Sequence, residues 1–172
     1  MEQLREVARA NVLSINMTIT TLDEELARLL EPRAPRPALR LRAVRTLSQA
    51  GLVVGVFPNP IMPLLTDSER QLDRLAKASR DAGARYFGGG PLFLMPSAQE
   101  VFLPFLEERF PALAPHYRAQ YEKSAYLGNG YKETLRARVQ KIRDRYGLDR
   151  GPVEYRPELW EGEEQATLFP LQ

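Results

Sequence analysis

The sequence predicts an α/β protein with a small parallel sheet. Residues 12–20 alternate strictly between apolar and polar side chains, as in a strand with one apolar face. Residues 52–57, LVVGVF, form a short apolar run of the kind found in parallel strands buried on both faces. Helical segments separate these strands from each other and from a third strand at residues 84–87, which is typical of βαβ units. With three strands and a helix in front of them, the chain has the organisation expected for the second half of a larger α/β barrel.

Helices are predicted around these strands from apolar periodicity and from end signals. Thr21, Thr66 and Ser97 each have a glutamate three residues later, the spacing of a capping box. Gly51 and Gly83 are expected to end two helices, because glycine adopts the left-handed conformation that follows many helix C-termini. The predicted helices cover residues 2–10, 21–30, 38–50, 66–81, 97–109, 112–123 and 131–146. In the helix at 38–50, the buried stripe is predicted to be Leu39, Ala43, Val44 and Leu47.

Three regions are predicted along the 172 residues. Residues 1–110 form the half-barrel, residues 111–147 a helical extension, and residues 148–172 a largely irregular tail that is rich in glutamate. No stretch approaches the roughly 18 consecutive apolar residues of a membrane span. The first residues have an amphipathic pattern rather than the apolar core of a signal peptide, so a cytoplasmic protein that does not contact membranes is expected.

Basic residues are concentrated in two runs. The first contains Arg33, Arg36, Arg40, Arg42 and Arg45, in a stretch of sequence from residue 32 to residue 66 that has no acidic residue. The second contains Lys132, Arg136, Arg138, Lys141, Arg143 and Arg145, with two acidic residues interspersed. Two interpretations stay open, a surface that faces nucleic-acid phosphates and an ordinary solvated helix face.

The first strand carries the clearest indication of chemistry. Its polar face presents Ser14, Asn16, Thr18 and Thr20. The core of a structural barrel is filled with branched apolar side chains, so a polar inner row indicates a wet lumen that binds a polar ligand. The alternative is an edge strand with one solvated face. In barrels of this type the ligand lies at the C-terminal ends of the strands, here residues 18–21, 59–62 and 88–91.

Several blocks of sequence occur in an order and spacing that are typical of a known family. They are SINMTITTLDEELARLLEPRAP, GLVVGVFPNPIMPLLTDSE, GGGPLFLMP with VFLPFLEERFP, and HYRAQYEKSAY. Together they resemble the C-terminal half of radical S-adenosylmethionine proteins of the spore photoproduct lyase-like group, over about residues 4–147. Two departures from the family pattern are Pro58-Asn59, in place of valine and alanine, and Leu64, in place of a glycine.

The resemblance implies a partial (β/α)6 barrel in which the strands of this chain are the fourth, fifth and sixth. It implies a 4Fe–4S cluster held by a CxxxCxxC loop after the first strand of the barrel. It also implies S-adenosylmethionine bound to that cluster and cleaved to a radical, which abstracts a hydrogen atom from a substrate such as nucleic acid. The implied cofactor-binding residues are Ser14, Asn16, Thr18, Asn59, Ile61 and Gly89.

The chain contains no cysteine and therefore no cluster ligands of the family type. Under the resemblance it is either one half of a split enzyme, whose N-terminal half carries CxxxCxxC, or a truncated product. The alternative is a non-catalytic module that kept the half-barrel and binds nucleic acid or protein. The single histidine, His116, is predicted to be a surface residue rather than a metal ligand.

Two smaller features leave alternatives open. The glycines at 88–90 lack the lysine and hydroxyl residue of a P-loop, which argues against that kind of phosphate site. Tyr117, Tyr121 and Tyr126 are predicted to pack between helices, with base stacking as the alternative.

The end of the chain suggests a protein partner. Residues 165–169, from Gln165 to Phe169, are similar to the QLSLF-type peptide by which DNA repair and replication proteins dock on the bacterial sliding clamp. An apolar pair that follows an acidic, extended segment suits docking into a groove. The alternative is a tail that packs Leu168 and Phe169 on its own domain.

Overall fold

The computed structural model describes residues 1–151 and contains a sheet of three parallel strands in the order β1-β2-β3. The strands are β1 (Ser14–Thr18), β2 (Val53–Phe57) and β3 (Tyr86–Phe87). Asn16 lies opposite Gly55, and Gly55 lies opposite Tyr86, so these three residues form one row across the sheet. The predicted α/β class and the parallel arrangement of the strands are confirmed.

The described part of the chain also contains seven helices. They are α1 (Glu2–Ala10), α2 (Glu24–Leu30), α3 (Pro37–Gln49), α4 (Glu69–Asp81), α5 (Pro96–Arg109), α6 (Ala114–Tyr121) and α7 (Asn129–Tyr146). Helices α2 and α3 lie between β1 and β2 in sequence, and α4 lies between β2 and β3. Gly51 and Gly83 have φ angles of 83° and 90°, as predicted for residues that end helices.

The predicted caps of α2 and α4 are wrong, because a better acceptor lies closer to each helix. Asp23 caps α2 by accepting hydrogen bonds from the first free N–H groups of the helix, and Ser68 does the same for α4. Thr21 instead accepts a hydrogen bond from the N–H of Asp23, and Thr66 accepts one from the N–H of Met62. The two threonines therefore stabilise the turns that precede the helices.

Two other predictions about helices also differ from the structure. Helix α5 follows Met95 rather than Ser97, because Pro96 occupies its first turn, where a missing N–H costs nothing. In α3, Val44 is fully buried as predicted, whereas Leu39 is 48% exposed. Leu39 lies in the first turn of α3 and is not covered by the sheet. The apolar pattern of a helix does not show which of its turns lies close to the sheet.

One face of the sheet, which we call the covered face, packs against helices. Ile19, Val54, Val56 and Phe87 on this face are at most 1% exposed. They share a core with buried side chains of α3, α4 and α7, namely Val44, Leu72, Leu75, Leu135, Val139 and Ile142. Removing this apolar surface from water provides the main stabilisation of the sheet.

A second apolar cluster lies under α5 and α6. It combines residues of the loops after β2 and β3 with residues of the two helices: Met62, Leu65, Leu92, Leu103, Leu106, Tyr117 and Tyr121. The hydroxyls of Tyr117 and Tyr121 donate to the backbone oxygens of Pro63 and Leu92. The extension thus packs on the loops of the sheet, and the predicted division at residue 110 stays a prediction.

The two outer edges of the sheet differ. At β3, the N–H of Phe87 donates to the backbone oxygen of Leu148 at 3.1 Å, and Tyr86 forms an isolated bridge with Asp149. Leu148, at the start of the predicted tail, is buried. At β1, no strand among residues 1–151 pairs with the outer edge.

Candidate functional site

The face of the sheet opposite the helices, which we call the open face, carries the predicted polar row. Ser14, Asn16 and Thr18 lie on it together with Gly55 and Tyr86 of the neighbouring strands. Asn16 and Thr18 are exposed. Residues 1–151 therefore do not enclose the predicted lumen. Within the described part of the chain, β1 is an edge strand with a solvated face.

Tyr86 is the central side chain of this face, and the sequence analysis did not identify it. Its hydroxyl donates to Oδ1 of Asn16 at 2.5 Å, and it also hydrogen-bonds Ser14. Its ring lies over Gly55, where an added Cβ would stand only 1.9 Å from a ring carbon. Glycine is required at this position because any side chain would displace the ring. The signal in the sequence was a glycine inside an otherwise apolar strand, which marks a close approach.

The Tyr86 hydroxyl is held in its protonated form. Burial raises the pKa of Tyr86, and the hydrogen bond with Ser14 opposes this effect only in part. Phe57 closes the side of the ring with an edge-to-face contact at 5.9 Å between ring centroids. Near neutral pH the hydroxyl is therefore a donor, which orients Asn16.

A charged network fixes the C-terminal end of β1. Arg40 forms an ion pair with Glu31 at 3.1 Å and donates to the backbone oxygen of Thr18 at 2.8 Å. The hydroxyl of Thr20 lies 3.1 Å from Oε2 of Glu31 and 3.3 Å from the backbone oxygen of Asn59. The side chain of Arg40 is only 11% exposed. This pair therefore ties β1 to the α2–α3 connection, and it leaves Arg40 unavailable for nucleic acid.

The loops after β2 and β3 are joined to each other at the same end of the sheet. Oδ1 of Asn59 accepts a hydrogen bond from the N–H of Gly90 at 2.8 Å. The N–H of Ile61 donates to the oxygen of Gly90 at 2.9 Å. A Cβ at Gly89 would stand 2.9 Å from Oδ1 of Asn59, so only glycine fits this contact without movement. The two loops therefore form one rigid unit.

The structure brings together only part of the predicted cofactor site. Ser14 and Asn16 converge on Tyr86, while Asn59 and Gly89 belong to the joined loops. The side chain of Ile61 is fully buried in the core and does not face solvent. The assignment of these residues to a cofactor stays a prediction.

The basic runs have different surroundings. In the first run, Arg36 pairs with Glu24 and Arg40 with Glu31, which accounts for two of its members. The other three members of this run are exposed and have no ion pair among residues 1–151; they are Arg33, Arg42 and Arg45. In the second run, three members pair with acidic residues of α4 or of the loop before it, and these members are Arg138, Lys141 and Arg145.

Two of the three tyrosines pack as predicted. Tyr117 and Tyr121 are buried and stack on each other at 6.1 Å between ring centroids, which leaves no room for a base. Tyr126 is exposed and stacks on Phe93. His116 is exposed, and no group of three or more metal-ligating residues occurs in the described part of the chain. No helix within residues 1–151 is long and apolar enough to span a bilayer.

Comparison with known proteins finds relatives that are named only as uncharacterized proteins. No protein-family model matches the chain. It is 33% identical over 168 residues to the uncharacterized proteins Mb2609c of Mycobacterium bovis and Rv2578c of Mycobacterium tuberculosis, an alignment that covers 96% of this chain and 49% of each relative. It is 38% identical over 72 residues to the uncharacterized protein ORF301 of Acidianus two-tailed virus, covering 40% of this chain and 24% of the viral protein. The chain thus spans about half the length of its mycobacterial relatives. The segment proposed to dock on a sliding clamp, residues 165–169, lies outside the described residues.

Proposed function

We propose that this chain is the C-terminal half-barrel of a radical S-adenosylmethionine enzyme similar to the spore photoproduct lyase group. In this proposal the chain supplies strands four to six, and its open face binds the adenosyl and methionyl parts of S-adenosylmethionine. The reaction is hydrogen abstraction from a substrate, for which nucleic acid is the candidate. The observation that carries the proposal is a parallel sheet with helices on one face and a polar row on the other.

The two sheet edges support a half-barrel. The outer edge of β3 is bonded to Leu148, whereas the outer edge of β1 has no strand partner among residues 1–151. A sheet edge without a strand partner is a template for another strand. A preceding half that adds its last strand alongside β1 would continue the parallel sheet. The length of the mycobacterial relatives, about twice the aligned segment, is consistent with such an additional half.

The loop after β2 gives independent support for the resemblance. Leu64 has a φ of 61°, in the left-handed region that glycine adopts without strain. Leu64 is also the position where the family has glycine. Its N–H donates to Oδ1 of Asp67 at 2.8 Å, which holds the turn despite the leucine side chain. The backbone therefore has the shape that the family sequence would specify.

The chain's residues fit one implied group and not the other. A 4Fe–4S cluster of the family type needs cysteine ligands, and the sequence has none, so the cluster would belong to another chain or segment. The polar row suits S-adenosylmethionine. Asn16 is exposed, and the hydrogen bond that its Oδ1 accepts from Tyr86 fixes the orientation of its amide group. Such a rigid donor is suited to a ribose hydroxyl or a carboxylate.

The test is reconstitution of the full chain with a protein that carries CxxxCxxC and is encoded by a neighbouring gene. We expect the anaerobic complex, given a reductant, to form 5′-deoxyadenosine from S-adenosylmethionine, and the chain alone to form none. Because Asn16 is a binding residue in this proposal, Asn16→Ala should raise KM about tenfold and change kcat little. The matched control is Thr46→Ala on the exposed side of α3, which should leave both constants unchanged.

Two outcomes would contradict the proposal. One is a stable complex with an assembled cluster that never cleaves S-adenosylmethionine. The other is an Asn16→Ala complex with unchanged KM. Absence of cleavage, together with DNA binding by the chain alone that weakens steeply with salt, would favour the binding module instead. Its contact residues would then be Arg33, Arg42 and Arg45, which are exposed and have no ion pair among residues 1–151.

A further inference from the structure

A cavity of about 220 Å³ lies between the loop after β3 and helix α7. The glycine-rich segment 88–91 forms one wall of this cavity. The opposite wall is formed by α7 and includes Lys132, Arg136 and Arg143. We call it the α7 pocket. None of the residues that line it carries a negative charge.

The cations of α7 are divided into two stripes. Residues 138, 141 and 145 are spaced by three and four, lie on one stripe, and pair with acidic residues at 67, 69 and 73. Residues 132, 136 and 143 are spaced by four and seven and lie on another stripe, which faces the pocket. None of the three has an ion pair among residues 1–151. Like charges on one stripe repel each other, so this arrangement costs stability unless an anion joins it.

Arg143 gives the strongest indication of a missing partner. Its Nε is buried and has no hydrogen-bond acceptor in the described part of the chain. A buried donor without an acceptor destabilises the folded chain, and for a charged group the penalty is larger. Such groups in native proteins usually have an ion, a water or a ligand as partner. The partner of a guanidinium in a pocket without carboxylates is expected to be an anion.

The opposite wall suits an oxyanion. Gly88, Gly89 and Gly90 carry no side chains, so a ligand can approach their backbone closely. The N–H of Gly88 donates to the backbone oxygen of Val56, and the N–H of Gly90 donates to Oδ1 of Asn59. The N–H of Gly89 has no acceptor among residues 1–151, so the glycine segment keeps one unused backbone donor.

We propose that the α7 pocket binds the phosphate group of a phosphorylated ligand. Arginine donates planar, paired hydrogen bonds that match phosphate oxygens, and lysine adds a point charge. The volume is below the roughly 300 Å³ of a typical small-molecule site, so the pocket holds the phosphate and leaves the rest of the ligand outside. The phosphate belongs either to a small molecule or to a nucleic-acid strand. The pocket shares Gly89 with the implied cofactor-binding residues, but its cations belong to α7, and S-adenosylmethionine has no phosphate for them to bind.

The experiment is isothermal titration of the full chain with three probes: inorganic pyrophosphate, a nucleoside 5′-monophosphate, and a single-stranded oligonucleotide of about 12 nucleotides. We expect at least one probe to bind and Arg143→Gln to weaken that binding about tenfold or more. The matched control is Lys141→Gln, which removes one positive charge from the paired stripe and should weaken binding less than about twofold. Tightest binding of a small probe identifies a small phosphorylated ligand, and tightest, steeply salt-dependent binding of the oligonucleotide identifies a strand.

A second measurement separates a binding role from a structural one. Because Nε of Arg143 is buried with no acceptor among residues 1–151, Arg143→Gln should keep or raise the melting temperature without ligand. The proposal is overturned if no probe binds at millimolar concentration. It is also overturned if Lys141→Gln weakens binding as much as Arg143→Gln, since general attraction to a basic chain would then explain the result.

Discussion

Ile19 and Phe87 on the covered face of the sheet are at most 1% exposed, whereas Asn16 and Thr18 on the open face are exposed. Both faces belong to the same sheet, in which successive side chains along each strand point to opposite sides. The covered face buries apolar side chains against three helices, while the open face holds a tyrosine, an asparagine and a serine in one hydrogen-bonded group. The sheet is thus stabilised mainly from one side.

This difference separates residues that maintain the fold from residues that are available for recognition. Apolar contacts on the covered face explain why the sheet exists, and they leave no polar group for a ligand. The open face contributes little apolar burial but presents fixed donors and acceptors at the surface. Substitution of a core side chain on the covered face should therefore lower stability more than substitution of an exposed polar side chain on the open face.

The largest expected effect is on the covered face. Leu72 of α4 is 1% exposed in that core, so Leu72→Ala should lower the free energy of unfolding by about 2–5 kcal/mol. Thr18→Ala on the open face should change it by no more than about 0.5 kcal/mol. Urea unfolding followed by circular dichroism measures both. Equal losses in the two variants would show that the open face is also part of the core.

The covered face could be predicted from the sequence, because it depends on periodicity. Alternation at 12–20 and the apolar run at 52–57 correctly located β1 and β2. The residue that caps each helix was less predictable. Two acceptors two residues apart, Thr21 and Asp23, both suit a helix start, and the choice between them depends on the tertiary path of the chain.

The open face could be predicted only in part. Ser14 and Asn16 were identified from their alternation, but their partner Tyr86 is 70 residues beyond Asn16 in the sequence. The register of the strands places Tyr86 in the same row, and a single sequence does not specify register. The α7 pocket was missed for the same reason, since its cations lie on α7 and its glycines in the loop after β3.

The second prediction concerns the contact that holds the open face together. Gly55→Ala should destabilise the chain by about 1–3 kcal/mol, because the new methyl group displaces the ring of Tyr86 and breaks its bond to Asn16. In a Tyr86→Ala background the same substitution should cost much less, since the ring is no longer there. A double-mutant cycle by urea unfolding measures this coupling. Additive effects would mean that Gly55 is needed for the backbone of β2 rather than for the tyrosine.

The smallest effect expected is at the hydroxyl of Tyr86. Tyr86→Phe removes one hydrogen bond to Asn16 and should cost about 1 kcal/mol near pH 7. Burial raises the pKa of Tyr86 in the folded chain, whereas an unfolded tyrosine ionises near about pH 10. The stability that the protonated hydroxyl contributes is therefore complete below about pH 10 and is lost as the pH rises towards the folded pKa.

The difference between wild type and Tyr86→Phe should accordingly shrink above about pH 10, because the variant has no hydroxyl to ionise at this site. The other tyrosines are common to both proteins and cancel in the difference. Urea unfolding at about pH 7, 9 and 10.5 measures it. Tyr126→Phe is the control near pH 7. Tyr126 is 60% exposed, so loss of its hydroxyl should change the free energy of unfolding by less than about 0.5 kcal/mol. If the loss of unfolding free energy in Tyr86→Phe stays constant through the alkaline range, water solvates this hydroxyl and its hydrogen bond to Asn16 does not stabilise the folded chain.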